Sequence, residues 1–283
     1  MKILTANPAG NITVFVLDPV QGQEERAAMA REILVGSKIG AGTLETSLRK
    51  PPIEQVGFVI PGSDSAPWRL EMAGGEFCGN AARCFGLYVA EVTGVKGKAA
   101  VSVSVSGAAA PVQVQVDTEN GLAAAEMPKP RLIDVLDFSG HSLPVLVFEG
   151  ITHVIAPDLK PERELFFNIK AELEKKYPSP AAGVMFYDTA ARFMRPAVYV
   201  SSPESFVFES SCGSGCAALA VWLSRGMWNG AIKYPINQPG GVIETEITKA
   251  DGKITRITIG GKVELGAPSE YRLQSEGHIT DRH

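Results

Sequence analysis

Glu76-Phe77-Cys78-Gly79-Asn80-Ala81-Ala82-Arg83-Cys84 places a cysteine, then glycine and a small polar residue, directly before an Ala-rich run. The same arrangement returns in Ser211-Cys212-Gly213-Ser214-Gly215-Cys216-Ala217-Ala218. Each reads as a thiol at a helix N-terminus. The predicted helix from Ala81 to Val92 carries only Arg83 and Glu91 as charges, and the one from Cys216 to Leu223 carries none. Neither has a polar face wide enough for solvent, so both must be enclosed.

Working outward, the surroundings of the two stretches match. Asn11 to Leu17 is an apolar, β-branched strand stopped at Asp18-Pro19, and Glu24 to Leu34 has amphipathic spacing, with Ala27, Ala30, Ile33 and Leu34 on one face. After residue 142 the order repeats: Leu143 to Phe148 and Thr152 to Ala156 are strand-like, Pro157-Asp158 breaks, and Glu162 to Lys176 is a charged amphipathic helix. Gly10, Val14 and Asp18 recur at one constant offset as Gly150, Val154 and Asp158. Strands at Ile53 to Ile60 and Trp68 to Met72 precede the first cysteine; Ala197 to Val200 and Phe206 to Glu209 precede the second. Alternating strands follow each helix, at Val101 to Val105 and Val112 to Val116, then at Val242 to Thr248 and Ile254 to Ile259. Their period of two calls for sheets with one wet face.

The expected fold class is α+β, with two pseudo-repeated lobes, each a curved, mostly antiparallel sheet wrapped round a central apolar helix. Residues 1–130 form the lobe carrying Cys78 and residues 131–274 the lobe carrying Cys212, with both helix N-termini facing the cleft between them. Pro128, Pro130 and Gly140 mark a linker over residues 128 to 142. The polar residues 275–283 show no periodicity and are expected to form a disordered tail.

Composition narrows the class. The 283 residues are 45% hydrophobic and 20% charged, with a net charge of −4 and a pI near 5.7. That is ordinary for a soluble globular protein, without the basic bias of a nucleic-acid partner. No apolar run approaches the roughly 18 residues of a membrane span. Met1-Lys2-Ile3-Leu4-Thr5-Ala6 opens without the pattern of an export signal, so a cytoplasmic location is expected. Four cysteines are too few for a disulfide scaffold, and reduced thiols are expected. Their spacing fits zinc patterns poorly, so no metal is expected.

A helix start offers unpaired N–H groups and the positive end of the dipole. A cysteine there is expected to have its thiolate favoured and its pKa lowered. Gly79 and Gly213 let the backbone approach a ligand, and N–H groups near Gly79, Asn80, Gly213 and Ser214 could hold a carboxylate between two sulfurs. Two such thiols repel as thiolates and settle as one thiolate and one thiol. One takes an α-proton and the other protonates the opposite face, while aimed N–H dipoles carry the developing charge without pyridoxal phosphate or another cofactor. Cys84 and Cys216 read as buried packing. His153 on its strand, Asn11 after Gly10, and Glu204 and Glu209 just before Cys212 are further candidates, each also readable as an ordinary core, turn or solvated residue.

These residues resemble the diaminopimelate epimerase family of cofactor-independent racemases and epimerases. The likeness is carried by Gly10-Asn11, Cys78 to Cys84, Gly150 to His153 and Cys212-Gly213-Ser214-Gly215. It implies that Cys78 and Cys212 are opposed bases, that His153 assists Cys78, that Glu204 assists Cys212, and that Glu209 receives the substrate ammonium. Asn11, Asn80 and the Gly213-Ser214 backbone match substrate-binding positions, and a homodimer is implied. Ser205 stands where diaminopimelate-specific members carry an arginine, Ile151 replaces an asparagine, and another asparagine near Gly183-Val184 is absent. Glu71-Met72-Ala73-Gly74-Gly75-Glu76 also lacks the family's distal-recognition loop. This pattern looks like the amino-acid racemase branch, which includes the histidine racemases. Three rivals stay open: a diaminopimelate epimerase with altered distal contacts, a single-carboxylate double-bond isomerase, and a non-catalytic small-molecule binding protein on the same scaffold.

Overall fold

The structure is a computed structural model and describes residues 1–39, 53–201 and 204–271; the expected tail, 275–283, lies outside these. It is a sheet-dominated α+β fold in which the described residues form 18 strands in one hydrogen-bonded set.

The first half runs β1 (Lys2–Asn7), β2 (Ile12–Val16), α1 (Gln23–Ile39), β3 (Ile53–Ser63), β4 (Ala66–Met72), α2 (Gly79–Val92), β5 (Lys98–Val105), β6 (Val112–Asp117) and β7 (Leu122–Glu126). The second runs β8 (Leu132–Phe138), β9 (His141–Val147), β10 (Thr152–Pro157), α3 (Arg163–Lys176), β11 (Ala181–Asp188), β12 (Phe193–Val200), β13 (Ser205–Phe208), α4 (Gly213–Leu223), β14 (Gly230–Gln238), β15 (Gly241–Ala250) and β16 (Lys253–Lys262). The short β17 (Glu264–Leu265) and β18 (Ser269–Glu270) end the described chain.

The repeat is visible in the pairing. β2 pairs parallel with β3 across α1, and β10 pairs parallel with β11 across α3. β3 then pairs antiparallel with β4 and β11 with β12, and each continues to a parallel neighbour beyond the Cys-headed helix, β4 to β5 and β12 to β14. Antiparallel meanders β5-β6-β7 and β14-β15-β16 close the two series. Alternation dictates their orientation: in Val112–Asp117 the valines are buried and the glutamines exposed.

Two elements depart from the sequence reading. The expected linker contains β8, whose hairpin to β9 turns through Ser139 and Gly140, both at positive φ (47 and 82). Its Leu132, Ile133 and Val135 are exposed, so no buried face marked it as a strand. The expected second lobe extends to residue 274, yet β17 and β18 pair antiparallel with β1. Residues 264–270 therefore lie against the first strand.

Two seams join the halves. β7 pairs antiparallel with β16, Glu126 opposite Thr258 through Leu122 opposite Lys262. Beside it the backbone of Gly10 meets that of Gly240: a Cβ on Gly10 would stand 2.6 Å from Gly240 Cα, and Gly10 holds φ +99. Gly10→Ala should lower stability by about 3 kcal/mol, through both the positive φ and the backbone clash. Equilibrium urea unfolding checks this, and a loss under about 1 kcal/mol would show that the seam can part.

Each Cys-headed helix is enclosed, as expected from its lack of a polar face. Every residue from Gly79 to Ala90 is buried, and so is α4 from Gly215 to Val221. α2 lies in a cluster with Leu70, Val103, Val105, Val114 and Ala125; α4 lies with Ile155, Met185, Ile243, Ile257 and Ile259. No helix among the described residues is long and apolar enough to cross a membrane.

Candidate active site

Both cysteines are N-cap residues with extended backbone, Cys78 at φ −120, ψ 110 and Cys212 at φ −128, ψ 110. Each carbonyl accepts the first helical bond, from Ala82 N–H to Cys78 O and from Cys216 N–H to Cys212 O, both at 2.9 Å. The Cys78 sulfur also accepts the Ala81 N–H at 3.4 Å.

The two helix starts meet. A Cβ on Gly79 would lie 2.4 Å from Met127 Sδ and 2.8 Å from Ile259 Cδ1, and one on Gly213 would lie 2.6 Å from the same Ile259 Cδ1. These glycines thus admit the packing between the helix starts as well as any ligand. Asn80 is buried, donates to Ser211 Oγ at 3.4 Å and accepts from Arg83 Nε at 3.3 Å. Its side chain links the two halves, and its backbone N–H lies in the first turn of α2, among the N–H groups expected to face a ligand. Arg83 is fully buried and donates to the carbonyls of Pro8 at 3.0 Å and Lys262 at 3.3 Å.

All four cysteines are free. The expectation of lowered thiol pKa values is overturned for both site cysteines. Burial pushes Cys78 up to about 12, opposed by the Ala81 N–H and assisted by the charges of Glu76 and Glu209. Cys212 is raised well above its ordinary value by burial, then by the charge of the hydrogen-bonded Glu209, with Ser214 working in the opposite direction. Desolvation outweighs the helix dipole here, because the dipole supplies only partial charge.

The carboxylates gather at the thiols. Glu209 is half-buried, hydrogen-bonded to Cys212, and raised to about 7 by burial and by the charge of Glu54. Glu76 is also raised, mainly by burial. Asn11, buried on the approach to β2, donates to Glu54 at 2.6 Å. Glu204, expected to assist Cys212, is exposed at the tip of the β12–β13 hairpin. Extended chain separates it from Glu209 by about 16 Å, so the carboxylate beside Cys212 is that of Glu209.

His153 is buried on β10, and its Nε2 lies 2.9 Å from Ser214 Oγ, which is 3.6 Å from Cys212 Sγ. The resemblance implied help for Cys78; the hydrogen bond leads to Cys212 instead. Burial drives the ring down to about 3, so it is neutral. Three residues that the sequence did not single out complete the site. The Cys78 thiol donates to Gln55 Oε1 at 3.0 Å, Glu54 holds Asn11, and Gln238 accepts the Cys212 N–H at 2.8 Å while donating to Cys216 Sγ at 3.1 Å. The polar pair Glu54-Gln55 inside the otherwise apolar strand Ile53 to Ile60 is the signal the sequence offers for two of them.

Comparison with known proteins decides the family. The family described as "Histidine racemase CntK N-terminal domain" matches residues 1–270. The chain belongs to the histidine racemase family. The chain is 30% identical over 278 residues to a histidine racemase of Fusobacterium nucleatum subsp. nucleatum, covering 94% of this chain and 97% of that one. With a histidine racemase of Staphylococcus aureus the identity is 26% over 276 residues, covering 95% and 96%. In fold, this histidine racemase family member is similar to an Agrobacterium vitis hydroxyproline epimerase solved with trans-4-hydroxy-L-proline (TM-score 0.64, 15% identity, covering 95% and 91%). It is also similar to a PhzF-family phenazine biosynthesis protein of Bacillus anthracis (TM-score 0.62, 15% identity, covering 96% and 98%). The family member is an isomerase, an amino-acid racemase.

Proposed function

We propose that the protein racemises histidine without pyridoxal phosphate, using Cys78 and Cys212 as a thiolate/thiol pair. The observation that carries this is the meeting of two N-cap thiols at abutting helix starts, with the charge of Glu209 acting on both. The scaffold we infer is two pseudo-repeated lobes, each a sheet curved round its buried helix, supported by the repeated strand pairing. The names of the relatives support histidine as substrate. So does the acidity of the site: Glu54, Glu76 and Glu209 suit a substrate with an α-ammonium and a second, basic group.

In this reading the free N–H groups of the two first turns hold the α-carboxylate and stabilise the charge that develops on it. Glu209, rather than Glu204, takes the thiol proton of Cys212. The thiolate then removes the α-proton, and the Cys78 thiol gives its proton to the opposite face of the carbanion. Cys78 ends as thiolate and the proton on Glu209 balances it. Ammonium groups arriving among the carboxylates offset the negative charge that holds both thiols protonated.

The test is proton NMR in D₂O with L-histidine, other single amino acids and diaminopimelate, combined with chiral analysis. Loss of the histidine α-proton signal with approach to equal amounts of both enantiomers is expected. Exchange confined to diaminopimelate, or absent throughout with thiols shown to be free, would overturn the reading.

A further inference from the structure

His153 has one bonded ring nitrogen and one bare one. Nε2 meets Ser214 Oγ at 2.9 Å, whereas the buried Nδ1 has no partner. The ring sits against apolar surroundings, with Phe148 edge-on at 6.0 Å, and opposite it in the β10–β11 register is Gly183, where a Cβ would stand 2.2 Å from Nδ1. A neutral imidazole carries one N–H, and a buried N–H without an acceptor is rarer and costlier than an unused lone pair. The proton therefore resides on Nε2 and is donated to Ser214. With one donor already received, Ser214 turns its own O–H to its other neighbour, Cys212 Sγ at 3.6 Å. The other partners of that sulfur are the Gly215 N–H, which donates to it, and the Glu209 carboxylate, which accepts. The donors run in one direction, from His153 to Ser214 to Cys212 to Glu209.

Cys78 is set the other way. The residue of the first half at the place of His153 is Thr13, and its register partner is Gln55 where the second half has Gly183. Gln55 Oε1 accepts the Cys78 S–H at 3.0 Å, which favours the protonated thiol. The duplicated strand pair thus supplies an acceptor to one thiol and, through Ser214, a donor to the other.

We propose that His153 and Ser214 are positioning residues that make Cys212 the proton-abstracting thiol of the resting site, while Gln55 holds Cys78 as the proton-donating thiol. This rests on the two-thiol reading of the site. When the proton of Cys212 passes to Glu209, the Ser214 O–H remains donated to the thiolate. That thiolate takes the α-proton, and the new C–H bond receives the proton of Cys78.

Two substrate-free measurements test it. Long-range ¹H–¹⁵N NMR of the protein, with the His153 signals assigned by their loss in His153→Gln, should show a neutral Nε2–H tautomer throughout pH 6 to 8. Alkylation by iodoacetamide, with each thiol followed by mass spectrometry, tracks thiolate content. Ser214→Ala should slow Cys212 about tenfold, one pK unit, and leave Cys78 within about twofold. His153→Leu should act like Ser214→Ala, and His153→Gln, whose amide N–H replaces the donor, should restore most of the rate. Ser214→Ala removes a single oxygen, so the test survives if the leucine variant does not fold. An Nδ1–H tautomer, an imidazolium at pH 7, or an unchanged Cys212 rate in Ser214→Ala would overturn the proposal. Neither measurement uses turnover, so a failed relay with intact histidine exchange is distinguishable from a failed racemase reading.

Discussion

Cys78→Ser and Cys212→Ser should each lower histidine α-proton exchange by about 10³-fold or more while leaving the fold intact. The size follows from removing the group that moves the proton: positioned acid–base groups contribute roughly 10²- to 10⁴-fold, and a serine hydroxyl ionises too reluctantly to substitute. The fold should persist because both positions are N-caps and serine caps well. Cys78 already accepts the Ala81 N–H with its sulfur, and a hydroxyl can do the same. Thermal unfolding and exchange NMR on the same samples separate the two effects. If either variant kept more than about a tenth of the wild-type rate, the paired-thiol mechanism would be wrong for that side of the site.

Glu209→Gln should move activity and stability in opposite directions. The carboxyl of Glu209 is raised from 4.5 to about 7 in the folded protein, chiefly by burial. The folded state then binds a proton that the unfolded state has already released, so stability is highest below about pH 4.5 and falls as pH rises through 7. With allowance for its partial exposure, the loss is about 2 kcal/mol. Glutamine carries no charge and escapes this loss. At pH 8 the variant should melt higher by about 5 °C, with a flatter dependence of Tm on pH, while exchange falls by roughly 10²-fold. A variant that is both inactive and less stable at pH 8 would show that Glu209 serves mainly as a structural partner of Cys212. Unchanged activity would remove it from the proton path.

Much of the scaffold was legible because its determinants are local. The two Cys-Gly-polar-small stretches cap helices as expected, and the lack of a wide polar face along them demanded enclosure before any contact was known. Strands with clean alternation, such as Val112–Asp117, were equally plain. The strands that escaped notice lack that signal. Ala181–Asp188 is buried on both faces except at its last residue, so it reads as an undivided apolar run. Leu122–Glu126 is dominated by alanine, a poor strand former. Lys2–Asn7 and the β17–β18 segment depend on each other across nearly the whole chain.

The site divides along the same line. Spacing and residue type singled out Cys78 and Cys212 and offered Asn11, Glu209 and His153 only as open candidates, to which the family resemblance gave roles; the capping geometry of both thiols follows from the helix start that their neighbours impose. Which groups stand beside each sulfur was decided only in three dimensions. A hairpin carried Glu204 out to solvent and left Glu209 against Cys212, a strand register put Gln55 beside Cys78, and a glycine on the neighbouring strand made room for the ring that orients Ser214. The ionisation of the thiols reversed the local expectation for the same reason. A helix terminus acts through the few bonds of its own turn, whereas the burial that dominates both thiols, and the charge of Glu209 on Cys78, come from segments distant in sequence and act only once the chain has brought them together.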